Sequence, residues 1–146
     1  MEILFQCGGP VLFVPYIHKG PLQFKRIGIA WDGSRLAARA LRDAAPFLKD
    51  AQEVAIINVN EPLKPENPSG AELAAYLARR GLTARFERAT ADGVDIQATI
   101  LSLAADAGLD LIVMGAYSHS RLQERLLGGV TRGMLQSMTV PTLMSH

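Results

Sequence analysis

Between Leu109 and Arg132 the chain reads LDLIVMGAYSHSRLQERLLGGVTR, an apolar run that stops at Gly115 and a Gly128-Gly129 pair that opens a periodic segment. An apolar run ended by glycine predicts a buried parallel strand, and the glycine pair predicts a loop feeding a helix N-terminus. That combination suits phosphate. N–H groups of a first helical turn lack intrahelical acceptors, the helix dipole is positive there, and glycine lets an anion approach the backbone. Between Gly115 and Gly133, Arg121, Arg125 and Arg132 stand against one acid, Glu124, so the local charge favours an anionic ligand. The same residues admit a plainer reading: a strand–loop–helix connection whose glycines serve the backbone and whose arginines are solvated. His119 has no paired acid or nucleophile near it in sequence, and Tyr117 suits a rim or packing position.

Bond-breaking chemistry has less support. A P-loop needs G-x4-G-K-[S/T] and a nucleophile elbow needs G-x-S-x-G; the chain has neither. Cys7 is the one cysteine, which excludes an internal disulfide and a multi-thiolate zinc site. His18, His119 and His146 are scattered, so no metal site is evident.

The elements that must position the glycine segment form an alternating series. Arg26–Trp31 predicts a first strand. Asp32-Gly33-Ser34 predicts a turn, with Ser34 capping a helix whose stripe is Ala37, Ala40, Leu41, Ala44 and Leu48. Val54–Val59 predicts a second buried strand, and the proline-rich Asn60–Ser69 a loop. A helix with Leu73, Ala74, Leu77 and Ala78 follows, ended by Gly81. Thr83–Arg88 alternates, with Ala84 and Phe86 inward, as an edge strand does. A helix through Ile96, Ile100, Leu103, Ala104 and Ala107 leads to the strand ending at Gly115. Val130, Met134 and Met138 give a last helix one apolar face, with Gly133 marking close packing or a weak point, and VPTLMSH closes the series as a strand. Five β units and four helices with right-handed crossovers make a doubly wound α/β sheet. Its ligands bind beyond the strand C-termini where strand order reverses. Asp32-Gly33-Ser34 and Gly115–Ser120 are the polar, glycine-containing exits that would flank that crevice.

Residues 1–23 stand outside the series, and they contain an echo: Pro10-Val11-Leu12-Phe13 aligns with Pro141-Thr142-Leu143-Met144. The echo reads as the last strand of a preceding copy of the domain, with Pro15, Pro21 and HKGPLQ as linker.

With 146 residues, 49% apolar and 20% charged, the chain has room for one core-bearing domain of the soluble class. A net charge of +1 argues against nucleic acid as partner. No run approaches the ~20 apolar residues that span a bilayer, and the N-terminus lacks the basic region of a signal peptide, so a cytoplasmic setting is expected.

The IAWDGS and VNEP strand ends together with LIVMG…GGVTR resemble the universal stress protein (UspA) superfamily over roughly residues 24–146. The chain looks like the C-terminal domain of a tandem member, with residues 1–22 as arm and linker and 23–146 as the domain. The resemblance implies a five-stranded parallel sheet of the adenine nucleotide alpha hydrolase-like kind, strand order 3-2-1-4-5, with the last strand used for dimer pairing. A homodimer through Pro10–Val14 and Val140–Ser145 is expected, the arm pairing within its own chain or exchanging between two.

The resemblance also implies ATP or ADP in the crevice between strands 1 and 4, with Mg only as the nucleotide's companion. Asp32 would hydrogen-bond adenine beside Ala30 and Trp31, and Val59 would meet the ring through its backbone. Met114 and Gly115 would lie near sugar and phosphates, with Ser118, Gly128, Gly129, Val130 and Thr131 lining the phosphate loop and Arg121 adding charge. The family's nucleotide binders carry G-x2-G-x9-G-[S/T]; this chain reads Gly115-x2-Ser118-x9-Gly128-Gly129. Ser118 thus adds a side chain where the family has glycine, and Gly129 removes a hydroxyl that Thr131 would have to supply. The Trp31 ring would stack on the base or block it. The expected function is cytoplasmic stress-response nucleotide binding without catalysis, at most a weak incidental ATPase. The alternative is an interaction domain with a degenerate pocket.

Overall fold

Short apolar runs alternating with 3.6-periodic segments build parallel strands joined by helices. A computed structural model of the chain, which describes residues 2–60, 69–92, 95–116 and 129–146, has this form. A short helix α1 (Glu2–Gln6) and strand β1 (Val11–Phe13) precede β2 (Arg26–Ala30), α2 (Arg35–Asp43), α3 (Ala45–Leu48) and β3 (Glu53–Val59). Then come α4 (Gly70–Ala78), β4 (Ala84–Ala89), α5 (Ile96–Asp106), β5 (Leu111–Gly115), α6 (Gly129–Ser137) and β6 (Thr142–Ser145).

Local chemistry accounts for most boundaries. The Ser34 hydroxyl accepts from the Ala37 N–H at 3.1 Å and caps α2 as expected. The stripe from Ala37 to Leu48, expected on one helix, is divided at Ala44, because Pro46 lies in the first turn of α3 and has no N–H to give back. Ser69 and Glu72 form a capping box at α4, with the Ser69 N–H donating to the Glu72 carboxylate at 2.7 Å.

The bond from the Ser69 N–H, then the link to its hydroxyl, hold the Glu72 carboxyl below its ordinary value. A carboxyl whose folded pKa is depressed stabilises the fold above its unfolded pKa, and that contribution fades as pH falls through the folded value. Urea unfolding of Glu72→Gln across an acid pH series should therefore show its deficit largest near neutrality and closing in acid. A deficit independent of pH would contradict this.

The sheet has six strands in the order β1-β6-β5-β2-β3-β4. This corrects the expected five-stranded, all-parallel sheet: a sixth strand, β1, is added at one edge, beyond β4-β3-β2-β5-β6, which run in the expected 3-2-1-4-5 succession. β2 to β6 pair in parallel, and β1 pairs antiparallel to β6 through Val11↔Met144, Leu12↔Leu143 and Phe13↔Thr142. The place expected for a partner's last strand is thus filled by the chain's own arm. β4 lies at the other edge as expected, but Phe86, expected inward, is 37% exposed beneath the Arg88 guanidinium.

Helices cover both faces. One core cluster joins Ile27, Ile29, Trp31, Val54, Ile56 and Leu143 to α2 and α4; the other joins Ile57, Ile112, Met114 and Met144 to α5, α6 and Leu4 of α1. Gly133 is where α6 meets α5, since a Cβ there would lie 2.6 Å from the Gln97 Cγ. No described helix is long and apolar enough to cross a membrane.

Candidate functional site

β2 lies in the middle of the sheet, and its last residue, Ala30, pairs with Met114 on one side and Ile57 on the other. The chain then turns through Gly33 at φ +68°, a conformation that favours glycine. The Asp32 Oδ1 accepts from the Ser34 N–H at 2.9 Å. One carboxylate oxygen of Asp32 is therefore committed to its own turn, which matches the plainer reading of an Asp before Gly.

Ala30, Val59, Met114 and Val130 belong to one apolar cluster, so the fold gathers four residues expected at the site onto the α5–α6 face at the strand C-termini. Trp31 goes elsewhere. Period-two alternation along β2 sets it with Ile27 and Ile29 on the opposite face, where it is 6% exposed beside α2 and α4. It is a core residue, and neither stacking on a base nor blocking the slot describes its place. Thr131 is buried in the first turn of α6, whereas Gly129 is exposed and no described atom lies within 4 Å of where its Cβ would sit.

Gly115 has a structural reason of its own. A Cβ there would fall 2.6 Å from the Ala37 N and from the Leu36 carbonyl carbon. Glycine is needed for α2 to rest on the end of β5, on the face away from the apolar cluster. Ser118, Arg121 and Gly128, with Tyr117, His119, Glu124 and Arg125, lie outside the described residues.

Two residues that sequence reasoning passed over shape the strand ends. Asn58, 1% exposed, donates from Nδ2 to the Trp31 carbonyl at 2.9 Å and ties β3 to the start of the Asp32 turn. Its Oδ1 is buried without a partner among the described residues. The available signal was one amide inside the apolar run VAIINV. Asn60, in the left-handed region at φ +62°, exchanges side-chain bonds with the Ala91 N–H and carbonyl and clamps the ends of β3 and β4 together.

Among the described residues no group of three His, Cys, Asp or Glu side chains could hold a metal ion. A cleft of about 330 Å³ opens between the linker at His18 and Pro21 and the segments around Asp110 and Pro141. Those segments precede β5 and β6, so the cleft sits at the opposite end of the sheet from the crevice.

The arrangement resembles known structures. A universal stress protein from Archaeoglobus fulgidus superposes with a TM-score of 0.69 at 22% identity, over 93% of this chain and 49% of that one. The chain thus spans about half the length of that relative. A universal stress protein family member from Burkholderia pseudomallei gives 0.59 at 22% identity, over 86% of this chain and 98% of that one. A universal stress protein solved in complex with cAMP gives 0.54 at 19% identity, over 84% and 97%. At these identities the likeness is one of fold. No curated protein matches the chain. A model of the universal stress protein family matches residues 23–146, and the chain belongs to that family.

Proposed function

We propose that residues 23–146 bind an adenine nucleotide, ATP or ADP, in the crevice between the ends of β2 and β5. The observation that carries this reading is the convergence of Ala30, Val59, Met114 and Val130 on one face beside the start of α6. An apolar floor for a base and a helix N-terminus for an anion are the two halves of a nucleotide site. A relative of the same fold solved with cAMP adds support. Mg would enter only with the nucleotide, and the reading is one of binding in the cytoplasm without turnover.

Isothermal titration with ATP and ADP tests it, and no heat at millimolar nucleotide ends it. Gly129→Ser restores the family's hydroxyl where no described atom lies within 4 Å. It should tighten ATP binding about tenfold or more, since a hydrogen bond to a charged group contributes about 1.5–3 kcal/mol. An unchanged affinity would remove Gly129 from the phosphate loop. Multiple-turnover phosphate release would replace binding with hydrolysis.

A second reading, an interaction domain with a degenerate pocket, is favoured by Asp32 spending an oxygen on its own turn and by Gly115 serving α2. Stoichiometric nucleotide carried through purification, weighed by native mass spectrometry, would sink it. Association with a second copy through Pro10–Val14 and Val140–Ser145 remains part of the proposal. With β1 on β6 of the same chain, it requires the arm to exchange or unseat.

A further inference from the structure

Along a parallel strand the N–H and C=O of one residue turn to the same neighbouring strand, and those of the next residue turn to the other side. The Trp31 N–H donates to the Ile57 carbonyl at 2.9 Å, so Ile57 and, two residues on, Val59 face β2, while the Trp31 carbonyl faces β3. The Asn60 N–H donates to the Ala89 carbonyl at 3.0 Å, which fixes the same alternation from the β4 side. The next rung between β2 and β3 would run from the Val59 N–H to the Trp31 carbonyl. It is not made.

The register of the two strands stops at Ala30↔Ile57. Beyond it the Trp31 carbonyl accepts from the Asn58 Nδ2 at 2.9 Å, so a side-chain amide of β3 takes the place of the backbone N–H next to it. Among the described residues neither the Val59 N–H nor its carbonyl has a hydrogen-bond partner. An open donor and acceptor side by side would be ordinary on an edge strand, but β3 lies between β2 and β4. Packing alone disfavours the amide that causes this. Asn58 is 1% exposed, and its Oδ1 is buried without a partner among the described residues. A Cβ on Gly70 would lie 2.7 Å from that oxygen, so glycine at the start of α4 leaves room for the amide.

We infer that Asn58 is a positioning residue that selects the purine: by occupying the Trp31 carbonyl it keeps Val59 out of the ladder and presents the Val59 N–H and C=O to the base. Adenine matches that pair, since its N1 accepts and its N6 amino group donates. Hypoxanthine and guanine carry the reverse, a donor at N1 and an acceptor at O6, and are refused. The role rests on the nucleotide reading, which sets the Val59 backbone against the ring, and adds to it the side chain that keeps that backbone open.

Two measurements on the full chain test it, amide hydrogen exchange followed by NMR on isotope-labelled protein without ligand, and calorimetric titration with ATP and with inosine triphosphate, whose base is hypoxanthine. In the unmutated chain the Val59 amide should exchange about tenfold or more faster than that of Ile57, which lies within the ladder, and ATP should bind about tenfold or more tighter than inosine triphosphate. Asn58→Leu, close in size and without a donor, lets Val59 close onto the Trp31 carbonyl. It should slow the Val59 amide about tenfold and bring the two affinities to within about twofold of each other by weakening ATP. Asn58→Ala should do the same if the leucine variant does not fold. A structural role alone would lower the stability of both variants and leave the affinity ratio unchanged.

A Val59 amide as protected as that of Ile57 in the unmutated chain overturns the assignment. So does equal binding of the two nucleotides by that chain, or a preference for ATP that survives in either folded variant. No heat from either nucleotide overturns the nucleotide reading, and the exchange rates then decide by themselves whether Asn58 holds Val59 out of the ladder.

Discussion

Replacing Trp31 with alanine should destabilise the fold by about 3–5 kcal/mol, the range for deleting a large buried aromatic side chain. The ring is 6% exposed and belongs to the cluster that joins β2 and β3 to α2 and α4. Its loss leaves a cavity bounded by two helices and two central strands, which can close only if all of them shift. Urea unfolding followed by far-ultraviolet circular dichroism measures the effect, since the substitution removes the chain's one tryptophan. The alternative location, a ring beside the adenine slot, predicts the opposite pattern: near-native stability with altered nucleotide binding. A loss below about 1 kcal/mol, the scale of an ordinary surface change, would return Trp31 to the crevice.

Gly115→Ala should cost about 1–3 kcal/mol or more through overpacking, while Gly129→Ala should be neutral or gain up to about 1 kcal/mol from helix propensity. The two glycines look alike in sequence, each bordering the segment that resembles a phosphate loop. Their surroundings differ. A methyl group at 115 meets backbone atoms of Leu36 and Ala37 at 2.6 Å, and backbone of a capped helix cannot swing aside as a flexible side chain would. At 129 it meets no described atom within 4 Å. Parallel urea titrations of the two variants check the contrast. Equal effects would mean that α2 yields at its first turn, and the close contact would then not explain Gly115.

The contrast bears on the candidate site. If Gly115 is held by α2, its presence supports the fold and carries no information about phosphate. The chemical case then rests on Gly129, Val130 and the segment leading into α6. The Gly129→Ser titration is accordingly the sharper probe of ligand, and Gly115→Ala the sharper probe of architecture.

The sequence by itself determined the order of strands and helices, the Ser34 cap, the Asp32 turn, the edge position of β4 and the echo between the two terminal strands. Each follows from short-range rules: period-two or 3.6-residue apolar spacing, a hydroxyl before a helix, an Asp-Gly turn. Ala30, Val59, Met114 and Val130 are named through the family resemblance, whose motifs sit at strand ends and a helix start. Only the tertiary structure decided which face Trp31 takes, because a one-residue change of strand exit reverses inside and outside. It also decided that Gly115 serves α2, that Asn58 ties β3 to the Asp32 turn, and that the arm returns to its own β6. Those are contacts between residues distant in the chain, and no local pattern encodes which surface a segment will meet.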